Sequence, residues 1–265
     1  MKYIINSLSV NTFGDPENIP VIFVHGFPFD YTMWENQITA LKNDYYCISY
    51  DVRGLGDSYV GDGQYTMDAF ASDLFSIVHE MNINQPVLCG LSMGGYIILR
   101  TLQRDSKRFR GVVLCNTKAT ADDNDAKLKR AQAIDDINVK GLDSFVSNFV
   151  PNCFSDFTKK KNPELVEKIT QNAKRHIPKG VKGSVFAMLS RNDTSGILSK
   201  LEMPALVIAG KDDKITPVSA MKEMADKIKD SDFAEIPNAA HLTPLENPEK
   251  FNKVLKEFLD KKIRK

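Results

Sequence analysis

Short runs of apolar residues, each about as long as a β-strand, recur along the first half of the chain and again near its end. Several of them are continuously apolar, which is typical of strands that are buried on both faces of a sheet. Seven strands are predicted from these runs, at residues 8–13, 20–24, 45–50, 86–89, 111–115, 205–209 and 233–236.

Segments with apolar residues at helical spacing lie between these runs. Residues 66–81 place Phe70, Leu74 and Ile77 on one face, and residues 96–102 follow one of the predicted strands after a short turn. The last helix begins with Asn247 as its N-terminal cap, Pro248 at its first position and Glu249 in its first turn. This alternation predicts an α/β fold with a mostly parallel sheet and helices on both of its faces.

The alternation stops between residues 117 and 195. That segment contains no convincing strand, and helical spacing recurs at residues 122–135, 139–149, 163–175 and 180–189. We therefore expect residues 1–116 and 197–265 to form the core, and residues 117–196 to form a helical insertion. Such an insertion is either padding or a lid above the residues that precede it.

Overall composition excludes several classes of partner. Thirty-five basic and thirty-four acidic residues leave a net charge of +1, and no stretch gathers enough Lys and Arg to bind nucleic acid. No apolar run of about eighteen residues exists, so no membrane association is expected. The four cysteines form no C-x-x-C pair and resemble buried thiols of a reducing compartment, which predicts a cytoplasmic protein.

The sequence Gly90-Leu91-Ser92-Met93-Gly94 has the form G-x-S-x-G and lies between a predicted strand and a predicted helix. A serine in such a sharp turn adopts a strained backbone, and glycines two residues away on either side avoid collisions where strand and helix cross. This context makes Ser92 a candidate nucleophile.

Three polar residues follow predicted strands in the order Ser92, Asp213, His241. A serine hydroxyl is a weak nucleophile at neutral pH and needs an imidazole to take its proton. That imidazole in turn needs a carboxylate to orient it and to stabilise its charged form. His79 and His176 have no comparable setting.

Five motifs together resemble the α/β-hydrolase fold superfamily over essentially the whole chain. They are His25-Gly26-Phe27-Pro28 followed by Trp34, Asp51-x-Arg53-Gly54-x-Gly56-x-Ser58, Gly90-x-Ser92-x-Gly94, Gly210-x-x-Asp213-x-x-x-Pro217, and His241 with Glu246-x-Pro248. Within the superfamily, the chain is similar to the branch of carboxylesterases, enol-lactonases and cofactor-free haloperoxidases (perhydrolases). One departure is Ala240, where the family usually has glycine.

The resemblance implies roles for further residues. The backbone N–H groups of Phe27 and Met93 would form an oxyanion hole, and His25 would hold the loop that carries Phe27. The family pattern places the acid three residues after Gly210 and four before Pro217, which selects Asp213 over Asp212.

The resulting prediction is a serine hydrolase that cleaves small carboxylic esters or lactones through an acyl-enzyme. Alternatives are the same triad acting on a C–C bond, a thioester or an amide, or a ligand receptor of the same fold with slow turnover. We expect no metal and no cofactor, because no metal-ligand spacing or dinucleotide fingerprint is present. The protein is expected to be a monomer or a homodimer.

Aromatic residues are the candidates for the walls of a substrate pocket, although the tryptophan is more simply a core residue and each phenylalanine could instead pack the insertion against the core. They are Trp34, Phe145, Phe149, Phe154 and Phe186.

Overall fold

A computed structural model describes residues 1–264. Its eight strands are β1 (Lys2–Ile5), β2 (Leu8–Phe13), β3 (Pro20–Val24), β4 (Tyr46–Tyr50), β5 (Val87–Leu91), β6 (Gly111–Cys115), β7 (Ala205–Gly210) and β8 (Ser231–Ile236). The α-helices are α1 (Glu35–Leu41), α2 (Met67–Glu80), α3 (Met93–Asp105), α4 (Asn124–Lys140), α5 (Leu142–Phe149), α6 (Asp156–Lys161), α7 (Pro163–Lys174), α8 (Pro178–Leu189), α9 (Val218–Asp226), α10 (Thr243–Glu246) and α11 (Pro248–Phe258).

All eight strands belong to one sheet, in the order β1-β2-β4-β3-β5-β6-β7-β8. β2 pairs antiparallel with both β1 and β4. The other six strands, which lie in the order β4-β3-β5-β6-β7-β8, are parallel to one another. Every residue of β5, β6 and β7 is buried, as strands covered by helices on both faces must be. The predicted α/β fold with a mostly parallel sheet is therefore confirmed.

The order in which successive strands are added to the sheet reverses at β3. β4 pairs with one side of β3 and β5 with the other, so that Val24 and Gly90 lie opposite each other. Parallel strands end at the same edge, and ligands of open α/β sheets bind where the strand order reverses. The loops after β3 and β5 meet at this point.

Two features differ from the sequence prediction. β1 was not predicted, because the exposed strand Lys2–Ile5 carries little of the buried apolar signal. Between β6 and β7 the structure has five α-helices where four were expected, the additional one being α6. Ser155 caps α6 by accepting a hydrogen bond from Thr158 N, but its three lysines hide any apolar periodicity. Within residues 1–264, no helix is both long and apolar enough to cross a membrane.

Helix α8 lies directly against the loop that follows β4. A Cβ atom placed on Gly180 would be 1.8 Å from the carbonyl oxygen of Gly54, whereas a Cβ on Gly196 would meet nothing within 4 Å. Glycine is therefore required where this inserted helix approaches the sheet, because a backbone carbonyl cannot move aside as a flexible side chain can.

We expect Gly180→Ala to lower the free energy of unfolding by about 1–3 kcal/mol, since the added methyl group forces α8 away from the loop. Gly196→Ala is the matched control and should change it by less than about 1 kcal/mol. Urea unfolding of the two variants measures both values. Equal stability of the two proteins would contradict the close approach of α8 to Gly54.

Candidate active site

Ser92 occupies the turn between β5 and α3 with φ 53° and ψ −113°. This is a sparsely populated conformation for a residue with a side chain, and it persists only where the surroundings enforce it. A Cβ on Gly94 would lie 2.2 Å from the carbonyl oxygen of Val24. The glycine thus allows α3 to begin close to the end of β3, and this close packing places Ser92 at the edge of the sheet.

Hydrogen bonds to neighbouring loops hold the backbone of Ser92. Its N–H donates to the carbonyl oxygen of Cys115 at 2.9 Å, and the hydroxyl of Thr117 donates to its carbonyl oxygen at 2.8 Å. The residue itself is half-buried, and its hydroxyl makes no hydrogen bond to another residue of the described chain. Catalytic hydrogen bonds are commonly long in unliganded enzymes and shorten when substrate binds.

His241 and Asp213 form a buried pair, with 2.8 Å between Nδ1 of the histidine and Oδ2 of the aspartate. Asp213 follows β7, and His241 lies in the loop after β8. Because Nδ1–H of His241 donates a hydrogen bond to the carboxylate, the unprotonated Nε2 is left free to act as a base. Asp212, by contrast, is exposed.

Further donors surround the Asp213 carboxylate. The backbone N–H groups of Ile215 and Thr216 donate to Oδ1 at 2.7 and 3.1 Å, and the Thr216 hydroxyl donates to Oδ2. Burial by itself would raise the pKa of Asp213, but His241, Thr216 and Asn116 together lower it to about 2. The carboxylate is therefore ionised throughout the physiological pH range.

Asn116 was not predicted from the sequence, although it belongs to the same network. Its side-chain amide donates to Asp213 Oδ2 at 2.8 Å and to the carbonyl oxygen of Ala240 at 3.2 Å, and it accepts from Thr243. Asn116 directly follows the buried strand β6 and has φ 44°. The sequence signal that could have identified Asn116 is its position, as a polar residue directly after a buried strand. The carboxyl ends of parallel strands lie together, so such a residue is close to the residues that follow the neighbouring strands.

Glu246 joins the histidine loop to the inserted helices. One carboxylate oxygen accepts from the backbone N–H groups of Ala240 and Leu242, on either side of His241, at 2.8 and 3.2 Å. The other oxygen accepts from Ser155 N at 2.7 Å and from the Thr158 hydroxyl at 2.8 Å. A single carboxylate thus fixes the loop of His241 relative to the start of α6.

The two amides predicted for an oxyanion hole lie in adjacent loops. Met93 is the first residue of α3, and the first N–H groups of a helix have no partner within the helix. Phe27 follows β3, and its N–H has no hydrogen-bond acceptor among residues 1–264. Their positions are compatible with two donors directed at one negative charge, a role that stays a prediction.

His25 holds the loop of Phe27, as the sequence interpretation expected. Its Nε2 accepts from Val52 N at 2.8 Å, which places the proton on Nδ1, and Nδ1 donates to the carbonyl oxygen of Gly26 at 2.8 Å. Complete burial lowers its pKa to about 4, although the bond to Gly26 acts in the opposite direction. His25 is therefore a neutral structural residue at physiological pH.

A cavity of about 830 Å³ opens beside Phe27, between the sheet edge and helices α4 and α5. Phe145 and Phe149 line it, and their rings stack with centroids 5.4 Å apart. The ring of Phe27 lies 5.7 Å from that of Phe149. Two of the predicted pocket residues therefore lie at one apolar wall of this cavity.

The other three predicted pocket residues lie elsewhere. Trp34 is fully buried in the core, where its ring lies between those of Phe23 and Phe251, at 5.2 and 6.2 Å. Trp34 is therefore a core residue, the alternative that the sequence favoured for it, and it does not line the large cavity. Phe186 is half exposed on the outer side of α8 and does not line the cavity. Phe154 is buried beside a smaller cavity next to Asp213.

Comparison with known proteins identifies the protein family to which the chain belongs. The family model described as alpha/beta hydrolase fold matches residues 19–248, so the chain belongs to this family. It is similar to 3-oxoadipate enol-lactonase 1 of Acinetobacter baylyi, with 32% identity over 96% of this chain and 93% of that protein. Non-heme chloroperoxidase CPO-A1 of Kitasatospora aureofaciens is 28% identical over 91% of this chain and 92% of its own length.

A solved structure of a thermophilic esterase from Thermogutta terrifontis superimposes with a TM-score of 0.92 and 34% identity, covering 98% of each chain. The resemblance to the branch of esterases, enol-lactonases and haloperoxidases is thereby confirmed. No group of three or more His, Cys, Asp or Glu residues that could hold a metal ion is found within residues 1–264.

We expect Glu246→Gln to lower kcat about tenfold or more, because the amide cannot accept all four hydrogen bonds and His241 loses its exact position. KM should change little, since Glu246 does not reach the large cavity. Glu249→Gln, at an exposed position one turn further on, is the matched control. Steady-state kinetics at several pH values test this, and a lowered melting temperature with unchanged kcat would restrict Glu246 to a role in folding.

The low pKa of His25 predicts a pH-dependent stability. The folded protein binds this proton only near pH 4, whereas the unfolded chain binds it near pH 6.5, so the stabilisation by His25 is complete above pH 6.5 and is lost as the pH falls to 4. In His25→Gln this titration is absent. The difference in unfolding free energy between wild type and variant should therefore shrink by about 3 kcal/mol between pH 7.5 and 4. A difference that is constant with pH would show that His25 is not held neutral.

Proposed function

We propose that the protein is a serine hydrolase that cleaves small carboxylic esters or lactones, with Ser92 as nucleophile, His241 as base and Asp213 as the acid that orients it. The buried pair of His241 and Asp213 at 2.8 Å is the observation that carries this proposal. It lies at the same sheet edge as the strained turn of Ser92. The names of relatives at 32 and 34% identity support a carboxylic ester hydrolase.

The reaction begins when His241 Nε2 takes the proton of Ser92 Oγ and the oxygen attacks the ester carbonyl carbon. The negative charge that develops on the carbonyl oxygen is stabilised by the N–H groups of Phe27 and Met93. Asp213 stabilises the imidazolium, which then protonates the leaving alkoxide as the C–O bond breaks. His241 then takes a proton from water as the water oxygen attacks the acyl carbon. The imidazolium returns that proton to Ser92 Oγ as the bond between Oγ and the acyl carbon breaks, which releases the acid and free Ser92.

We further propose that residues 117–196 act as a cap over a core formed by residues 1–116 and 197–265. Phe145 and Phe149 would contact the acyl group, because they form the apolar wall nearest to Phe27. The remaining lining of the large cavity is rich in charged residues of α4. A small-molecule substrate with an apolar acyl segment fits this distribution.

Two adjacent carboxylates provide a matched test of the triad. Asp213→Asn should lower kcat for 4-nitrophenyl butyrate by about 10⁴, because the imidazole loses both its orientation and its stabilising charge. Asp212→Asn should lower it by less than about tenfold, since this side chain is exposed. Ser92→Ala is the reference for loss of the nucleophile, with an expected decrease of about 10⁴ to 10⁶.

The opposite order for the two aspartates would move the acid to Asp212. Retention of more than a few per cent of activity by Ser92→Ala would exclude the proposed nucleophile. Circular dichroism of all three variants controls for loss of folding.

A further inference from the structure

Another cavity, of about 170 Å³, lies between the sheet and the inserted helices, on different residues from the cavity beside Phe154. Its walls come from the start of α2, from Tyr96 and Arg100 of α3, from the loop after β6 and from the segment after α8. Tyr96 and Lys118 line both this cavity and the large one. The small cavity therefore adjoins the space that we assign to substrate.

Positive charge exceeds negative charge around this cavity. Arg100, Lys118 and Arg191 line it, and the carboxylate of Asp68 is the acidic group among its lining residues. Asp68 pairs with Arg100 at 2.7 Å, while Asp122 pairs with both Arg191 and Arg130. The lining residues and their ion-pair partners thus comprise four cations and two anions, so positive charge is in excess.

Two of the cations have unused hydrogen-bonding capacity. Lys118 is half-buried and, within residues 1–264, makes neither a hydrogen bond nor an ion pair. Arg191 is 93% buried and stacks on Tyr96 at 4.2 Å, and its Nε is a buried donor without an acceptor in the described chain. A buried unsatisfied donor is costly, and a ligand oxygen would remove that cost.

The size of the cavity limits the ligand to a small one. An engineered protein cavity of about 150 Å³ holds a benzene molecule, so about 170 Å³ accommodates a group of similar size. A carboxylate with a short carbon chain meets this limit and offers two oxygens. Arginine and lysine bind carboxylates through charge-assisted hydrogen bonds, which are about twice as strong as neutral ones.

We propose that this cavity, lined by Arg100, Lys118 and Arg191, is a binding site for the carboxylate of a small organic acid. The carboxylate belongs either to the substrate itself or to a free acid bound beside it. The first case rests on the proposed hydrolase function, whereas binding of an anion does not.

Binding is tested without catalysis by isothermal titration calorimetry of succinate into Ser92→Ala protein at constant ionic strength. We expect saturable binding that the additional substitution Lys118→Met weakens tenfold or more, because a charge-assisted hydrogen bond is lost. Lys118→Met should fold normally, since Lys118 has no partner in the chain. Lys200→Met, at an exposed position away from the cavity, is the matched control and should bind like its parent. Absence of binding, or equal binding by both lysine variants, would overturn the proposal.

The source of the carboxylate is resolved with two substrates of equal acyl length, 4-nitrophenyl hexanoate and the mono-4-nitrophenyl ester of adipic acid. If the site binds the substrate, kcat/KM favours the adipate ester in the wild type, and Lys118→Met removes this preference. If it binds a free acid, the two esters react alike while succinate still binds. Succinate binding together with inactivity toward both esters would contradict the proposed function and leave the anion site supported.

Discussion

The Asp213 carboxylate is the group on which the candidate site depends, because it is buried, charged and held from several directions. Two backbone amides, the hydroxyl of Thr216 and the amide of Asn116 donate to it in addition to His241. An unpaired buried carboxylate would take up a proton and lose its ability to orient the imidazole. The donors come from loops after β6, β7 and β8, so three strand ends must be correctly arranged for the pair to form.

The inserted helices contribute to the same arrangement. Cys153 accepts a hydrogen bond from the backbone of His241 at 3.0 Å, and Ser155 and Thr158 share the carboxylate of Glu246 with the histidine loop. The insertion is thus mechanically connected to the candidate base as well as to the walls of the large cavity. Changes in the insertion can therefore alter both the shape of the large cavity and the position of His241.

His176 provides a second connection of this kind. It lies in the inserted segment, between α7 and α8. Its Nδ1 accepts a hydrogen bond from Gly56 N at 3.1 Å, and its Nε2 donates one to the carbonyl oxygen of Pro28 at 3.0 Å. Burial lowers its pKa, so it is neutral in this position. The loop that carries Phe27 is consequently held by His25 from the sheet side and by His176 from the insertion. Both ring nitrogens of each of these histidines bind backbone groups, whereas Nδ1 of His241 contacts Asp213.

Local sequence determined the strands from β2 to β8, the turn at Ser92 and the N-terminal cap of the last helix, because apolar periodicity, glycine spacing and cap residues act over a few positions. The motifs also selected Ser92, Asp213 and His241 as candidates. Only the tertiary structure brought Asn116 to Asp213 and Ser155 to Glu246, since hydrogen bonds across 97 and 91 positions leave no local signal. It likewise decided that Trp34 lies in the core while Phe145 and Phe149 face the large cavity, because burial of an aromatic ring depends on which elements pack against it.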